Sequence, residues 1–281
     1  MSVDVAGGKA RYRGPSALGD DLRRFWSLTF TLAATDFKLR FFGSFLGYLW
    51  TLMRPLLLFG VIYVVFTEVV RFGEGVEHYP VYLLMAIVMF SFFSEATSRG
   101  VTSLVERENL LRKIRFPRLV IPLSVTLAAF FNLCASLVAV FVFVFISGVP
   151  VRPDWVQMPL LIAMLVILTT GVTMLVSALY VRYRDMQPIW EVFLQVLFYA
   201  TPILYVITFV PEEWRKIAAS NPLATILTQM RHALIDENAP TAPTVLGGWV
   251  ELLIPVGIVA AIFAVGFWVF FKETPRIAEN L

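Results

Sequence analysis

Six long apolar runs, separated by short polar loops, constrain this chain more than any other feature of its sequence. Each run holds roughly 20 residues, the length that a helix needs to cross a hydrocarbon core about 30 Å thick. The runs lie near residues 45–67, 80–98, 120–146, 159–181, 188–209 and 249–271. With 58% hydrophobic and 15% charged residues, the chain is predicted to be an all-α integral membrane protein with six transmembrane helices.

The loops between these runs predict the orientation. Eighteen of the 23 Lys and Arg residues lie in residues 1–54, in residues 99–118, in residues 182–184 or after the last run. Loops rich in Lys and Arg resist translocation, so both termini are predicted to be cytoplasmic, and the basic pI of about 9.1 does not indicate nucleic-acid binding. Arg184 and Asp185 fall in a very short cytoplasmic turn, where they are predicted to pair or to cap helix ends.

The segment before the first run is predicted to divide into two parts. Residues 1–19, with several glycines, are predicted to be a flexible cytoplasmic tail. From Asp20 the sequence has a helical period, and its apolar stripe consists of Leu22, Trp26, Phe30, Ala33 and Phe37. A helix with one aromatic and one basic side is typical of the membrane interface. We therefore predict an interfacial amphipathic helix, with a helix that packs on its neighbours as the alternative.

Residues 99–118 form a basic segment between the second and third runs, with six Lys or Arg and two Glu. From Glu106 to Ile114 the acidic residues come near the start and most basic residues near the end, which suits a helix dipole, and Pro117 would end such a helix. We predict a short surface helix that docks on another protein; a loop that only sets the topology is the alternative. The residues assigned to docking are Glu106, Arg107, Glu108, Asn109, Leu110, Leu111, Arg112 and Lys113.

The first and fifth runs each carry a helical face of unusual side chains. The residues of these two faces that are candidates for a substrate channel are Tyr48, Phe59, Tyr63, Phe66, Glu191, Gln195, Tyr199 and Tyr205. Polar groups within lipid are costly and usually face a protein interior or a wet cavity. Aromatic faces at helical spacing also suit ordinary packing between helices, so both interpretations stand.

Residues 210–248, the longest segment on the external side, are predicted to contain two short re-entrant helices. Pro211 and the two glutamates after it would begin the first helix, and Asn221 would cap the second. The second helix would have one apolar face, formed by Leu223, Ile226, Leu227, Met230 and Leu234.

Motifs for catalysis or nucleotide binding are missing from the sequence. It has no G-x-x-x-x-G-K-[ST], H-E-x-x-H or G-x-S-x-G, and with two His and one Cys it offers no plausible transition-metal site. The runs also lack the repeated acidic residues expected of a proton- or sodium-coupled carrier. We therefore predict a chain that moves a substrate with energy from a nucleotide-hydrolysing partner, and that has no catalytic residue or cofactor of its own.

Four stretches carry a resemblance to a known family. They are Lys38–Trp50 leading to Pro55, Glu108–Pro117, Tyr183–Asp185 and Asn221–Leu223. With these motifs, the chain resembles the membrane subunits of ABC-2 type exporters, specifically those that move lipid-linked polysaccharides such as O-antigen, galactan or teichoic acid. The resemblance covers essentially everything after residue 20, so residues 20–281 would form one ABC-2 transmembrane domain.

The resemblance implies an exporter of polyprenyl-diphosphate-linked polysaccharide in the bacterial cytoplasmic (inner) membrane. Two copies of the chain would form a homodimer. Through the predicted surface helix that begins at Glu106, which is called the coupling helix, each copy would dock on an ATPase subunit that binds ATP and Mg²⁺. The first and fifth spans would line the glycan channel. Lys38, Arg40 and Arg54 are candidates to attract the lipid diphosphate, with anchoring of phospholipid as the alternative.

Two rival functions differ in what the sequence would need. An ABC-2 exporter of a lipid or a small drug would have a narrower and less aromatic channel. A membrane-embedded enzyme acting on the lipid-linked glycan would need a dense acidic or histidine-containing site at the interface, and the sequence has none.

Overall fold

A computed structural model describes residues 22–40, 47, 49–69, 75–108 and 117–280. Within these ranges the chain is helical and contains no β-strand. In chain order the α-helices are α1 (Leu22–Arg40), α2 (Leu49–Val64), α3 (Tyr79–Glu106), α4 (Val120–Ile146), α5 (Gln157–Arg182), α6 (Met186–Ala200), α7 (Glu212–Ser220), α8 (Pro222–Leu234), α9 (Ala242–Leu246) and α10 (Leu253–Asn280). A π-helical turn extends α2 over Val65–Val69, and 3-10 turns occupy Pro153–Val156 and Ile207–Phe209.

Four helical segments of the described chain are long and apolar enough to cross a membrane. They are Tyr79–Glu106, Val120–Ile146, Pro153–Arg182 and Leu253–Glu273. These segments correspond to the second, third, fourth and sixth predicted spans. The first and fifth predicted spans fold as the shorter helices α2 and α6, so length and hydropathy support four of the six spans.

α3 is the central helix of the protomer. It packs against α2, α4, α5 and α6, and residues 81–90 are all buried. A helix that is apolar on every side belongs inside a bundle, and this run has that composition. Because lipid tails are as apolar as leucine, close van der Waals packing rather than removal of surface from water holds such helices together.

α3 also continues further than the sequence predicted. Its apolar run was expected to end at residue 98, but the helix extends to Glu106, with Gly100, Ser103 and Leu104 buried. The Ser103 hydroxyl donates to the Gly100 carbonyl oxygen at 2.7 Å, so this polar side chain is satisfied inside the packing. Glu106 therefore ends the long helix α3 instead of beginning a separate surface helix, and that part of the prediction was wrong.

The fifth predicted span is interrupted before its expected end at residue 209. α6 ends at Ala200, and Thr201 has extended backbone, as expected for a residue that precedes a proline. Tyr82 of α3 donates its hydroxyl to the Pro202 carbonyl, and Tyr79 donates to the Leu204 carbonyl at 2.6 Å. These two tyrosines attach the broken segment to the beginning of α3.

Two short helices form within residues 210–248, as the sequence predicted. Asn221 caps α8, and its side-chain oxygen accepts the Leu223 N–H at 3.0 Å. Its amide also donates to the Thr201 hydroxyl at 3.0 Å, which ties α8 to the interruption after α6. The apolar face of α8 is buried against the main core, as predicted for Leu223, Ile226, Leu227, Met230 and Leu234.

Candidate functional site

The N-terminal helix α1 packs on α4 by a face that differs from the predicted stripe. Phe25, Thr29 and Ala33 are buried, whereas Trp26 is 57% exposed and Phe30 is similarly open. Thr29 can be buried because its hydroxyl donates to the Phe25 carbonyl at 2.9 Å. α1 thus packs on its neighbours and, at the same time, presents uncovered aromatic side chains.

Asp36 and Arg107 form an ion pair that joins α1 to the end of α3. Arg107 is the first residue after α3, and its Nη1 also donates to the Ser124 hydroxyl of α4 at 2.9 Å. Both side chains of the ion pair are mostly covered: Arg107 is 19% exposed and Asp36 is 28% exposed. The sequence placed Arg107 on a docking surface and missed Asp36, although Asp36 is the one acidic residue between Leu22 and Arg40.

A cavity of about 400 Å³ lies beside this ion pair, between α1, α3 and α4. It is lined by Asp36, Leu39, Arg99, Thr102, Ser103, Glu106, Arg107, Val125 and Ala128. Thr102 donates its hydroxyl to Glu106 at 2.6 Å. Acidic and basic side chains therefore both line the cavity, at the end of α3 that belongs to the basic segment.

Other residues were predicted to dock on the ATPase or to attract the lipid diphosphate. Some of them lie in the described part of the chain and others lie outside it. Glu108 is half-buried just beyond α3, and Lys38 and Arg54 are exposed on α1 and α2. Residues that lie outside the described part, or whose side chains do, are Arg40, Tyr48, Asn109, Leu110, Leu111, Arg112 and Lys113.

The aromatic face of α2 packs largely within the protomer. Phe59 is 7% exposed; its ring contacts Phe143 of α4 edge-on at 5.5 Å and stacks on Tyr63 at 5.6 Å. Tyr63 and Phe66 are half-buried against the same core. Phe59 is therefore packed within the protomer, whereas Tyr63 and Phe66 remain partly accessible.

The predicted stripe of α6 lies on an uncovered surface. Glu191, Gln195 and Tyr199 are exposed, with Tyr199 at 68%. Half-buried Tyr205 donates its hydroxyl to the Tyr199 carbonyl at 3.2 Å, so the residues on either side of the interruption are brought together. The opposite face of α6 is buried through Trp190, whose indole N–H donates to Thr97 of α3 at 3.1 Å.

The short turn before α6 contains two of the predicted residues, and both are exposed. The Arg184 guanidinium lies over the Tyr180 ring, 5.1 Å from its centroid. Asp185 occupies the position before α6, where its side chain makes no capping hydrogen bond within the described structure. Arg184 therefore contacts an aromatic ring at the end of α5, and Asp185 does not cap α6 through its side chain.

A polar contact in the middle of the helical bundle was missed by the sequence analysis. Asn132 of α4 donates its side-chain amide to Glu95 of α3 at 2.7 Å. Asn132 is buried, and its side-chain oxygen has no hydrogen-bond partner within the described structure. Ionisable groups within spans are rare and face protein interiors, so Glu95 inside the second run was the signal. The described residues contain no group of His, Cys, Asp and Glu that could hold a metal ion.

The four long apolar helical segments of the described chain, with charged residues at the end of α3, define a multi-pass helical membrane protein. The family model described as "ABC-2 type transporter" matches residues 27–235, which is well over half of the chain. The chain therefore belongs to the ABC-2 type transporter family, which confirms the resemblance carried by its motifs.

Three relatives illustrate this membership. The chain is 29% identical over 262 residues to an O-antigen export system permease protein of Klebsiella pneumoniae, covering 93% of this chain and 97% of that protein. It is 28% identical over 269 residues to the O-antigen export system permease protein of Myxococcus xanthus, covering 93% and 98%. A polysialic acid transport protein of Escherichia coli is 23% identical over 200 residues, covering 69% and 76%.

Proposed function

We propose that this chain is the membrane-spanning permease subunit of an ATP-driven exporter. The exporter moves polyprenyl-diphosphate-linked polysaccharide from the cytoplasm to the outer side of the cytoplasmic membrane. The observation that carries this proposal is the similarity, over nearly the full length of both chains, to permeases named for O-antigen export. A polysaccharide transport protein among the more distant relatives supports the same class of substrate.

The proposed assembly is a homodimer in which each copy has six spans and both termini in the cytoplasm. α2 and α6 supply the two shorter spans and the walls of the channel. Support comes from α6, where Glu191, Gln195 and Tyr199 share one uncovered face. Carboxylate, amide and phenol groups are costly in lipid, so that face is expected to meet water, the glycan or the second copy. Tyr63, Phe66 and Tyr205 are partly accessible aromatic residues, and they are proposed to line the channel as well.

Two ATPase subunits are proposed to dock at the segment that includes Glu106, Glu108, Arg112 and Lys113. ATP and Mg²⁺ bind to those subunits, and this chain transmits the resulting motion. The exposed Lys38 and Arg54, together with Arg40, are proposed to attract the lipid diphosphate at the cytoplasmic surface. Arg184 and Asp185 are exposed at the turn before α6, a position that also suits contact with the ATPase.

Depletion of the protein in its own host tests the proposal. Polyprenyl-diphosphate-linked glycans are then assayed on the inner and outer sides of the cytoplasmic membrane. We expect full-length glycan to accumulate on the cytoplasmic side, because synthesis continues while export stops. Short unfinished intermediates would instead indicate an enzyme of assembly, and unchanged glycans would indicate an exporter of lipid or drug.

A further inference from the structure

We propose that Asp36 and Arg107 are positioning residues that make the interfacial helix α1 move with the coupling segment, which is the segment from Glu106 to Lys113 that is proposed to dock on the ATPase. The inference rests on the proposed function, because it assigns a role in transmitting motion from the ATPase. Neither residue needs to touch the ATPase or the glycan for this role. Their ion pair connects two residues that lie 71 positions apart in the sequence, one on α1 and one directly after α3.

The position of Arg107 allows it to connect the docking segment with α1 and α4. It follows Glu106, the last residue of α3, and precedes Glu108, and both glutamates belong to the segment that is proposed to dock on the ATPase. A displacement of that segment therefore acts directly on Arg107. Arg107 holds α1 through Asp36 and α4 through Ser124, so three helices meet at one guanidinium.

The partial burial of the ion pair favours a rigid connection. Charge-assisted hydrogen bonds are shorter and stronger than neutral ones, and covered pairs are screened less by salt than exposed pairs. Removing one partner leaves the other charge partly buried without its counter-ion, which is unfavourable. α1 and the end of α3 are therefore expected to keep their relative position when either one is displaced.

The neighbouring cavity leaves room for such a movement. About 400 Å³ separates parts of α1, α3 and α4 beside the ion pair. In a tightly packed contact, a shift of α3 would be resisted by side chains that interdigitate. Here polar side chains border open space beside the ion pair, so the Asp36 end of α1 can follow the end of α3 without displacing closely packed side chains at that point.

The rest of α1 is attached independently of this pair. Phe25 packs in a hydrophobic cluster with Leu104 of α3 and Ile121 of α4. Phe30 and Phe37 each contact the Phe131 ring edge-on at 5.8 Å. Loss of the ion pair should therefore leave α1 docked and the protein folded, and should change transmission rather than assembly.

The test compares Asp36→Asn, Arg107→Gln and the charge exchange D36R/R107D in the full chain with its ATPase partner. ATP hydrolysis by the complex and glycan export are both measured, and export per ATP hydrolysed is the readout. Each single variant should lower this ratio about tenfold, a change typical of coupling between sites, while ATP hydrolysis continues. The charge exchange should restore part of the ratio, because it rebuilds the ion pair with reversed polarity.

The matched control is Glu237→Gln, which removes the ion pair between Glu237 and Arg152, 3.4 Å apart, on the side proposed to be external. Its ratio should equal that of the unchanged protein. Equal ratios in the control and the Asp36 and Arg107 variants would overturn the inference. Asp36→Glu keeps the negative charge and serves as a second test if another variant fails to accumulate. A normal ratio of export to ATP hydrolysis in Asp36→Glu supports the ion pair. A loss as large as in Asp36→Asn contradicts it. If the unchanged protein exports no glycan, the proposed function fails instead.

Discussion

Gly171 of α5 and Gly266 of α10 bring the backbones of their two helices into direct contact. A Cβ atom on Gly171 would lie 2.7 Å from the Cα atom and 2.9 Å from the backbone nitrogen of Phe263. A Cβ atom on Gly266 would overlap the Gly171 carbonyl. Small residues permit this approach, and the van der Waals packing that it allows is one of the forces that hold helices together in lipid. The contact fixes α10 against α5.

Gly171→Ala should destabilise the folded protein by about 1–3 kcal/mol, because the added methyl group forces the two backbones apart. Thermal unfolding of the purified protein in detergent measures the change. Gly257→Ala on α10 is the control, since no atom lies within 4 Å of its added Cβ. Equal melting temperatures for the two variants would show that the close crossing does not hold α10 in place.

Trp190→Phe should remove the hydrogen bond to Thr97 while keeping most of the aromatic packing of α6 on α3. Hydrogen bonds between membrane helices contribute about 0.6 kcal/mol on average, so a loss of this size is expected. Unfolding with a denaturing detergent measures it. Trp249→Phe is the comparison, because Trp249 is strongly exposed, and an equal loss there would contradict a specific role for the indole N–H.

Tyr199→Ala should slow glycan export if the exposed stripe of α6 lines the path of the polymer. Aromatic contacts contribute about 0.5–1.5 kcal/mol, which corresponds to a rate lower by about two- to tenfold. Appearance of glycan on the outer side is the measurement. Ile189→Ala removes another exposed side chain of α6, away from the stripe, and should export normally. Unchanged export by Tyr199→Ala would limit this tyrosine to packing against a neighbouring chain.

Charge reversal at Arg112 and Lys113, which lie outside the described residues, should weaken the binding of the ATPase and thereby reduce transport. Both cations belong to the segment proposed to meet the ATPase, and like charges across an interface disfavour binding. Co-purification of the ATPase with the variant, compared with export in cells, measures the effect. Normal co-purification and normal export would remove these residues from the docking surface.

The sequence predicted best where one local signal determined the structure. The third run coincides with α4, and Asn221 together with the apolar stripe that follows it defined α8. The end of α6 was also encoded locally, by Pro202, but the continuous apolar composition up to residue 209 concealed it. α3 extended beyond its apolar run because Ser103 and its neighbours are satisfied by the helix itself, which hydropathy does not measure.

The candidate site depended more on contacts between distant positions. Nothing near Asp36 in the sequence indicates Arg107 or Ser124 as its neighbours, and the pairing of Glu95 with Asn132 is equally non-local. Periodicity placed Glu191, Gln195 and Tyr199 on one face of α6. It could not determine that Phe59 points into the protomer, because an aromatic stripe has the same spacing whether it packs or lines a channel.

Reconstitution gives the most direct test of the central claim. The complex of this chain and its ATPase is placed in lipid vesicles with polyprenyl-diphosphate-linked glycan, with the ATPase on the outside. The measurement is the fraction of glycan protected from an added glycan-cleaving enzyme. Export predicts that this fraction rises only when ATP and Mg²⁺ are supplied. Steady ATP hydrolysis with no rise in protected glycan, while a plain lipid is moved, would contradict the claim.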